Sequence, residues 1–247
     1  MTRRTVIIPA RFRSSRFPGK PLVPLLGKPM VLWVAELAVK AVGAADVIVA
    51  TDDARIAQVV RDAGFQALIT SEFALTGTDR MAEASEQIEA DIYINVQGDE
   101  PLVNPDDILK IADAKVEHCC DVINGYCWMA EHERPENVNI PKVITNESDE
   151  LVYMSRMALP GYKESANAPE RYKKQVCIYA CTRDELRSFR DFGRKSYLEK
   201  CEDIEILRFL ELNKKIRMVE IMPGSLAVDV ESDVAGVETA LKKLHGL

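Results

Sequence analysis

Four cations fall within ten residues of one another: Arg11, Arg13, Arg16 and Lys20. They share the segment with Ser14, Ser15, Pro18 and Gly19. An arginine fork and a lysine point charge together neutralise phosphate oxygens. Loop hydroxyls and backbone N–H groups add donors. The chemistry offered is capture of a polyanionic small molecule, with a solvated basic loop as the plainer alternative. Two carboxylates stand apart from it. Asp99 lies in Gln97-Gly98-Asp99-Glu100-Pro101, directly after an apolar run. A carboxylate there could hold Mg²⁺ against phosphate oxygens, or simply occupy a strand-to-helix turn. Asp229 lies in Ala227-Val228-Asp229-Val230 on an expected strand. A carboxylate in apolar surroundings needs a partner or a metal; the alternative is an exposed strand-end residue capping the next helix.

Overall charge sharpens the contrast. The 247-residue chain carries a formal −7, so without the four loop cations the rest carries −11. A nucleic-acid binder is excluded by that balance, whereas a local positive field suits a small anion. Hydrophobic residues make up 47% and charged residues 29%, the composition of a globular domain. No apolar run approaches the ~18 residues that span a membrane, and the early Arg11 and Arg13 argue against a signal peptide. The six cysteines form no CxxC pair and the three histidines no metal-ligand spacing. Buried free thiols in a reducing cytoplasm are the expectation.

Positioning elements can be read from periodicity. Thr5–Ala10 is a β-branched run suited to a strand buried on both faces. Helix 29–42, strand 46–51, helix 54–63, strand 65–70, helix 78–90 and strand 91–96 follow. This alternation predicts an α/β fold, a doubly wound, mostly parallel Rossmann-like sheet. Ligands bind such sheets at the carboxyl ends of the strands, where both the basic loop and Asp99 would emerge. The segment matches neither GxGxxG nor GxxxxGK[ST], which disfavours a nicotinamide fold and a P-loop. The second half predicts helix 105–116, strands 121–128, 141–145, 151–155 and 175–181, a loop over 161–170, helix 183–192, helix 202–212, strand 217–221 and helix 232–243. We expect one domain over 1–247, with an antiparallel insertion over about 120–182.

Read together, the segments resemble the sugar-nucleotide cytidylyltransferases, in particular the 3-deoxy-manno-octulosonate (Kdo) cytidylyltransferase family. The resemblance rests on Ile8-Pro9-Ala10-Arg11, Ser15-Arg16-Phe17-Pro18-Gly19-Lys20-Pro21-Leu22, Gly27-Lys28-Pro29-Met30, Val49-Ala50-Thr51-Asp52-Asp53 and Gly77-Thr78-Asp79-Arg80. It continues through Asp91–Pro101, Met154-Ser155-Arg156, Ile178-Tyr179-Ala180 and Glu205-Ile206-Leu207-Arg208, nearly the whole chain. It implies the nucleotide-diphospho-sugar transferase fold, CTP and a 3-deoxy-2-ulosonic acid as substrates, Mg²⁺ as cofactor, and a homodimer formed through the insertion. By the same resemblance Ala10, Arg11, Ser14, Ser15, Arg16 and Lys20 contact CTP, and Gly77, Thr78 and Arg80 face the nucleoside and reacting phosphate. Asp99 and Asp229 hold magnesium, and Gln97, Arg156, Gln175, Tyr179 and Glu205 form the sugar pocket. Arg156 suits a carboxylate clamp, with a surface salt bridge as the alternative.

The family usually carries His where this chain has Gln175, and a Gly and a Tyr where it has Cys177 and Cys181. Its Gly-Val-Asp-Thr-Pro motif is here Ala227-Val228-Asp229-Val230-Glu231. The expectation is an intact CTP side and an altered sugar side that takes Kdo or an amino-substituted relative. Cytidylyltransferases for other acids, such as a nonulosonic acid or a phosphonate, and a non-catalytic CTP-binding protein are the competing readings.

Overall fold

The computed structural model describes residues 2–13, 17–223 and 226–246. Strand β1 (Arg4–Ala10) is central because its residues have apolar partners on both sides. Val6, Ile8 and Ala10 face one core layer and Ile7 the other. The short strands β2 (Pro24–Leu25) and β3 (Lys28–Pro29) form a small hairpin leading into α1 (Met30–Val42). Strand β4 (Val47–Thr51), helix α2 (Ala54–Asp62), strand β5 (Gln66–Ile69), helix α3 (Gly77–Ser85) and strand β6 (Ile92–Val96) complete the parallel half. β5, β4, β1 and β6 lie side by side, all parallel.

The second half extends the same sheet. It runs α4 (Pro105–Glu117), β7 (Val122–Trp128), β8 (Lys142–Thr145), β9 (Leu151–Ser155), β10 (Lys173–Cys181), α5 (Arg183–Asp191), α6 (Tyr197–Glu202), α7 (Leu207–Glu211), β11 (Ile216–Glu220) and α8 (Val234–His245). β10 inserts antiparallel between β6 and β7, and β11 adds parallel at the edge, giving the order β11-β7-β10-β6-β1-β4-β5. The β8–β9 hairpin hangs from β10. The expected α/β class and antiparallel portion are therefore present. Helices α1, α2 and α4 supply one core layer, and α3, α5 and α7 the other.

Local chemistry sets the helix starts. Asp53, Thr76 and Asn104 accept hydrogen bonds from backbone N–H groups of α2, α3 and α4, and Thr182 with Glu185 forms a capping box on α5. Three expectations fail. Helix α3 stops at Ser85 rather than near residue 90: the Glu86 and Gln87 N–H groups turn back to the Glu83 and Ala84 carbonyls, three residues behind, and the Tyr93 hydroxyl donates to the Ile88 carbonyl. The expected helix 202–212 is broken by Asp203, whose φ of 51° is left-handed, so α6 ends before it and α7 begins after a turn. Residues around Asp229 form no strand; that segment leads into a short turn of 3₁₀ helix at Glu231–Asp233.

Candidate active site

The sheet itself opens the site. β1 stays paired with β4 as far as Ala10–Thr51, but its pairing with β6 ends at Ile7–Asn95. Beyond that point the chains diverge, as at the switch point of doubly wound sheets. Gly98 sits in the divergence. A Cβ there would lie 2.8 Å from the Pro9 carbonyl oxygen, so the two loops approach this closely only because residue 98 has no side chain.

Two adjoining cavities occupy the crevice. The first, about 280 Å³, is lined among others by Ala10, Arg11, Lys20, Gly77 and Arg80. The second, about 720 Å³, is lined among others by Arg156, Lys174, Gln175, Cys177 and Tyr179. Gln97, Asp99, Asp203, Glu205 and Asp229 border both and form the partition. Twelve residues singled out by sequence thus line one cleft, and Thr78 touches it through Glu205. Ser14, Ser15 and Arg16 lie outside the described residues.

At the partition, Lys20 Nζ lies 2.5 Å from Asp99 Oδ2 and 3.7 Å from Asp229 Oδ1. Asp229 is brought there by its neighbours. The Val228 N–H donates to the Asp99 carbonyl at 3.0 Å, and the Asp233 carboxylate accepts from the N–H groups of Asp229 and Val230. Two carboxylates converging on one cation fit Mg²⁺, which takes one or two protein carboxylates and completes its shell with phosphate and water. Among the described residues no group of three or more His, Cys, Asp or Glu side chains could form a closed metal cage.

Arg80 is a buried wall of the first cavity. It donates to Thr70 Oγ1 and, at 3.2 Å, to Asp52 Oδ2. Burial lowers its pKa from the usual arginine value, with Asp52 opposing that shift. Glu205 takes an unexpected role. Its carboxylate caps helix α3, accepting from the Gly77 N–H at 3.0 Å, the Thr78 N–H at 2.9 Å and the Thr78 hydroxyl at 2.6 Å. It shapes both cavities from a fixed position.

Arg156 is held by carbonyls rather than by a surface acid. Its guanidinium donates to the backbone oxygens of Glu202, Val138 and Asp203. Two of its five N–H donors remain after those three bonds. Gln175 donates through Nε2 to Asn124 Oδ1 at 3.1 Å. Tyr179 is 3% exposed, and burial raises its phenol pKa well above normal. Cys177 lies beside it at the cavity wall, its thiol also pushed up by burial. Cys181 corrects the expectation of a broadly altered sugar side: it is buried in the core on the register of Tyr93 and lines neither cavity.

Sequence reasoning missed Lys174, Lys195, Asp203 and the acid Glu202. Lys174 pairs with Glu133, and Lys195 with Asp203 at 3.0 Å. Glu202 accepts from the Ser155 hydroxyl at 2.7 Å and the Arg156 N–H at 2.8 Å, fixing the end of β9 to α6. Each is an ordinary surface-type charge whose residue type and neighbours carry no motif.

With this geometry in view, comparison with known proteins places the chain. Residues 5–216 match the Cytidylyltransferase family profile. The 3-deoxy-manno-octulosonate cytidylyltransferase of Escherichia coli is 38% identical, over 93% of this chain and 92% of its own length. The enzyme of the same name from Geobacter metallireducens is 39% identical over 98% of both. A solved structure of CMP:2-keto-3-deoxy-manno-octonic acid synthetase complexed with CTP superposes with a TM-score of 0.90 at 34% identity, covering 98% of this chain and all of that one. A cytidylyltransferase from Leptospira borgpetersenii, at 15% identity and TM-score 0.64, shares the fold. The chain belongs to the cytidylyltransferase family, among the 3-deoxy-manno-octulosonate cytidylyltransferases.

Proposed function

We propose that the protein transfers CMP from CTP to the anomeric hydroxyl of a 3-deoxy-2-ulosonic acid, Kdo or a close relative, and releases pyrophosphate. The observation that carries this is the Lys20–Asp99–Asp229 cluster at the partition between two cavities. Triphosphate in the first and sugar acid in the second would meet there. The acceptor oxygen forms a bond to the α-phosphorus, the bond to the bridging oxygen of pyrophosphate breaks, and the hydroxyl proton passes to water or a nearby base.

No covalent enzyme intermediate is required, so catalysis is positioning and charge stabilisation. Arg11 and Lys20 neutralise the triphosphate, with Ser14, Ser15 and Arg16 of the same loop expected to assist. Ala10, Gly77, Thr78 and Arg80 shape the nucleotide cavity. Asp99 and Asp229 would hold Mg²⁺, which when bound supplies Lewis-acid stabilisation of phosphate charge. Arg156 orients the acid, and Gln97, Gln175, Tyr179 and Glu205 complete its pocket.

An amino-substituted acid is the second reading, favoured by the charge of the acceptor cavity. Five carboxylates, Asp99, Glu100, Asp203, Glu205 and Asp229, border it against the two cations Arg156 and Lys174. The protein acts in the cytoplasm as a homodimer joined through the antiparallel portion. Exposed Val138, Val152, Met157 and Tyr162 in that region support the dimer, and among the described residues no helix is long and apolar enough to cross a membrane.

The test is pyrophosphate release from CTP with Mg²⁺, offering Kdo, 8-amino-Kdo and a sialic acid separately. Release with Kdo or its amino derivative, abolished by chelation of Mg²⁺, is expected. Release with the sialic acid alone would refute the acceptor class.

A further inference from the structure

Strands β7 and β10 pair antiparallel, but their register shifts between Val176 and Tyr179. Asn124, fully buried on β7, spans the irregularity. Its Nδ2 donates to the Val176 carbonyl at 2.9 Å and the Ile178 carbonyl at 3.0 Å. Only the nitrogen of an amide can serve two carbonyl oxygens, so these partners fix which way Asn124 is turned. Its Oδ1 is then the atom that meets Gln175, and it accepts from Gln175 Nε2 at 3.1 Å. An oxygen facing Gln175 demands the nitrogen of that amide in turn. The orientation of Gln175 is therefore dictated by the β-bulge, one amide removed.

Gln175 lines the acceptor cavity. With Nε2 committed to Asn124, its Oε1 takes no hydrogen bond from any described residue. We infer that Asn124 is a positioning residue that locks Gln175 so that its amide oxygen receives a hydrogen bond from a donor on the acceptor, a hydroxyl or a protonated amine. This rests on the transferase reading above and adds a direction to it. A carboxylate cannot face Gln175 Oε1, so the acid group of the substrate turns toward Arg156, across the cavity. The end bearing hydroxyls or an amine turns toward Gln175.

The experiment compares Gln175→Met, Asn124→Ala and the double variant with the wild type, using Kdo and 8-amino-Kdo as probes. It reads KM for each acid, KM for CTP, kcat, and binding of each acid by calorimetry. Gln175→Met should raise the acid KM roughly fivefold where the donor is a hydroxyl and on the order of a hundredfold where it is an ammonium. CTP KM and kcat should stay within about twofold of the wild type, since the contact is made equally before and during reaction. Asn124→Ala should move the same parameter in the same direction, and the double variant should be no worse than Gln175→Met alone.

Unchanged acid affinity in Gln175→Met overturns the inference. So do effects of the two substitutions that multiply, because Asn124 would then act by another route. Should Asn124→Ala fail to fold, Gln175→Met decides. Wild-type protein that binds an acid but never turns it over sinks the transferase reading, while loss of that binding in Gln175→Met still upholds the contact. Wild-type protein that binds neither acid sinks both.

Discussion

The two cavities are built by opposite means. The nucleotide side comes mainly from consecutive parallel strands whose loops emerge at one edge, so most of its residues arrive in compact blocks, Ala10 to Lys20, Gly77 to Arg80 and Gln97 to Asp99, joined by Lys195, Glu199, Asp203, Glu205 and Asp229 from the second half. The acceptor side is assembled from β7, β10, the β8–β9 hairpin and the turn between α6 and α7, and its residues are scattered between Gln97 and Asp229. Backbone topology positions the first. Buried polar side chains position the second: Glu202 ties β9 to α6, and Lys142, fully buried, donates to the carbonyls of Asn137 and Arg156. Arg208 makes a comparable tie on the nucleotide side, behind Gly77 and Arg80 of α3 and Glu199 of α6. All five of its N–H donors are used, on Asp79, Glu199 and the Phe189 carbonyl, joining α3, α5, α6 and α7. A side whose geometry depends on individual side chains can change specificity without disturbing the nucleotide site.

Breaking the partition should have the largest consequence. Asp99→Asn and Lys20→Met should each lower kcat by about 10²–10³-fold, the range for removal of one preorganised charge-stabilising group, with melting temperature little changed. Steady-state pyrophosphate release together with a thermal melt checks both halves of that statement.

Breaking the scaffold is next. Arg208→Met leaves Asp79 and Glu199 buried without their cation, at a cost of about 3–5 kcal/mol. That corresponds to a drop on the order of ten degrees in melting temperature for a chain of this size. Calorimetry would show it. A shift within a degree would mean that the ion network contributes nothing to holding the site.

The comparison sharpens with a substitution confined to one cavity. Arg156→Gln should raise KM for the sugar acid by roughly tenfold or more, through loss of a charge-assisted bond, while KM for CTP stays constant. Parallel movement of both constants would mean that the cavities are not independent.

The smallest effect concerns the thiols. Contrary to the expectation of buried thiols, Cys119, Cys120 and Cys201 are exposed, whereas Cys127 and Cys181 are buried. Burial pushes the Cys127 thiol up to about 11 and raises that of Cys181 well above normal. A folded-state value above the unfolded one stabilises the neutral thiol, so this contribution is present below pH 9 and is lost as pH rises toward 11. Native protein at pH 8 should therefore be alkylated at Cys119, Cys120 and Cys201 while Cys127 and Cys181 react only after unfolding, as read by peptide mass mapping.

The same contrast explains what could be read from the chain before its structure. β1, β4 and β6 are legible because burial on both faces demands unbroken apolar runs. The loops that follow them are legible because concentrated charge after such a run has few structural explanations. Glu202, Lys174 and Asn124 gave no such signal, since a single polar residue looks the same whether it meets water or a buried carbonyl. Asp203 was misread for a related reason: Ile204, Leu207 and Leu210 have helical spacing, and only the left-handed backbone at Asp203 separates α6 from α7. The Cys181 substitution was placed on the sugar side because the family motif there carries another residue, but Cys181 pairs with Tyr93 deep in the sheet, away from the cavity end of β10.

The central claim is that the two cavities bring an acceptor oxygen to the α-phosphorus of CTP at the Lys20–Asp99–Asp229 partition. The most direct measurement follows the ³¹P resonances of CTP with Mg²⁺ and Kdo or 8-amino-Kdo. The account predicts that a CMP diester and pyrophosphate appear in equal amounts, and that neither forms when the acid is left out. Pyrophosphate released at the same rate without the acid, or CTP unchanged with both acids present, would contradict it.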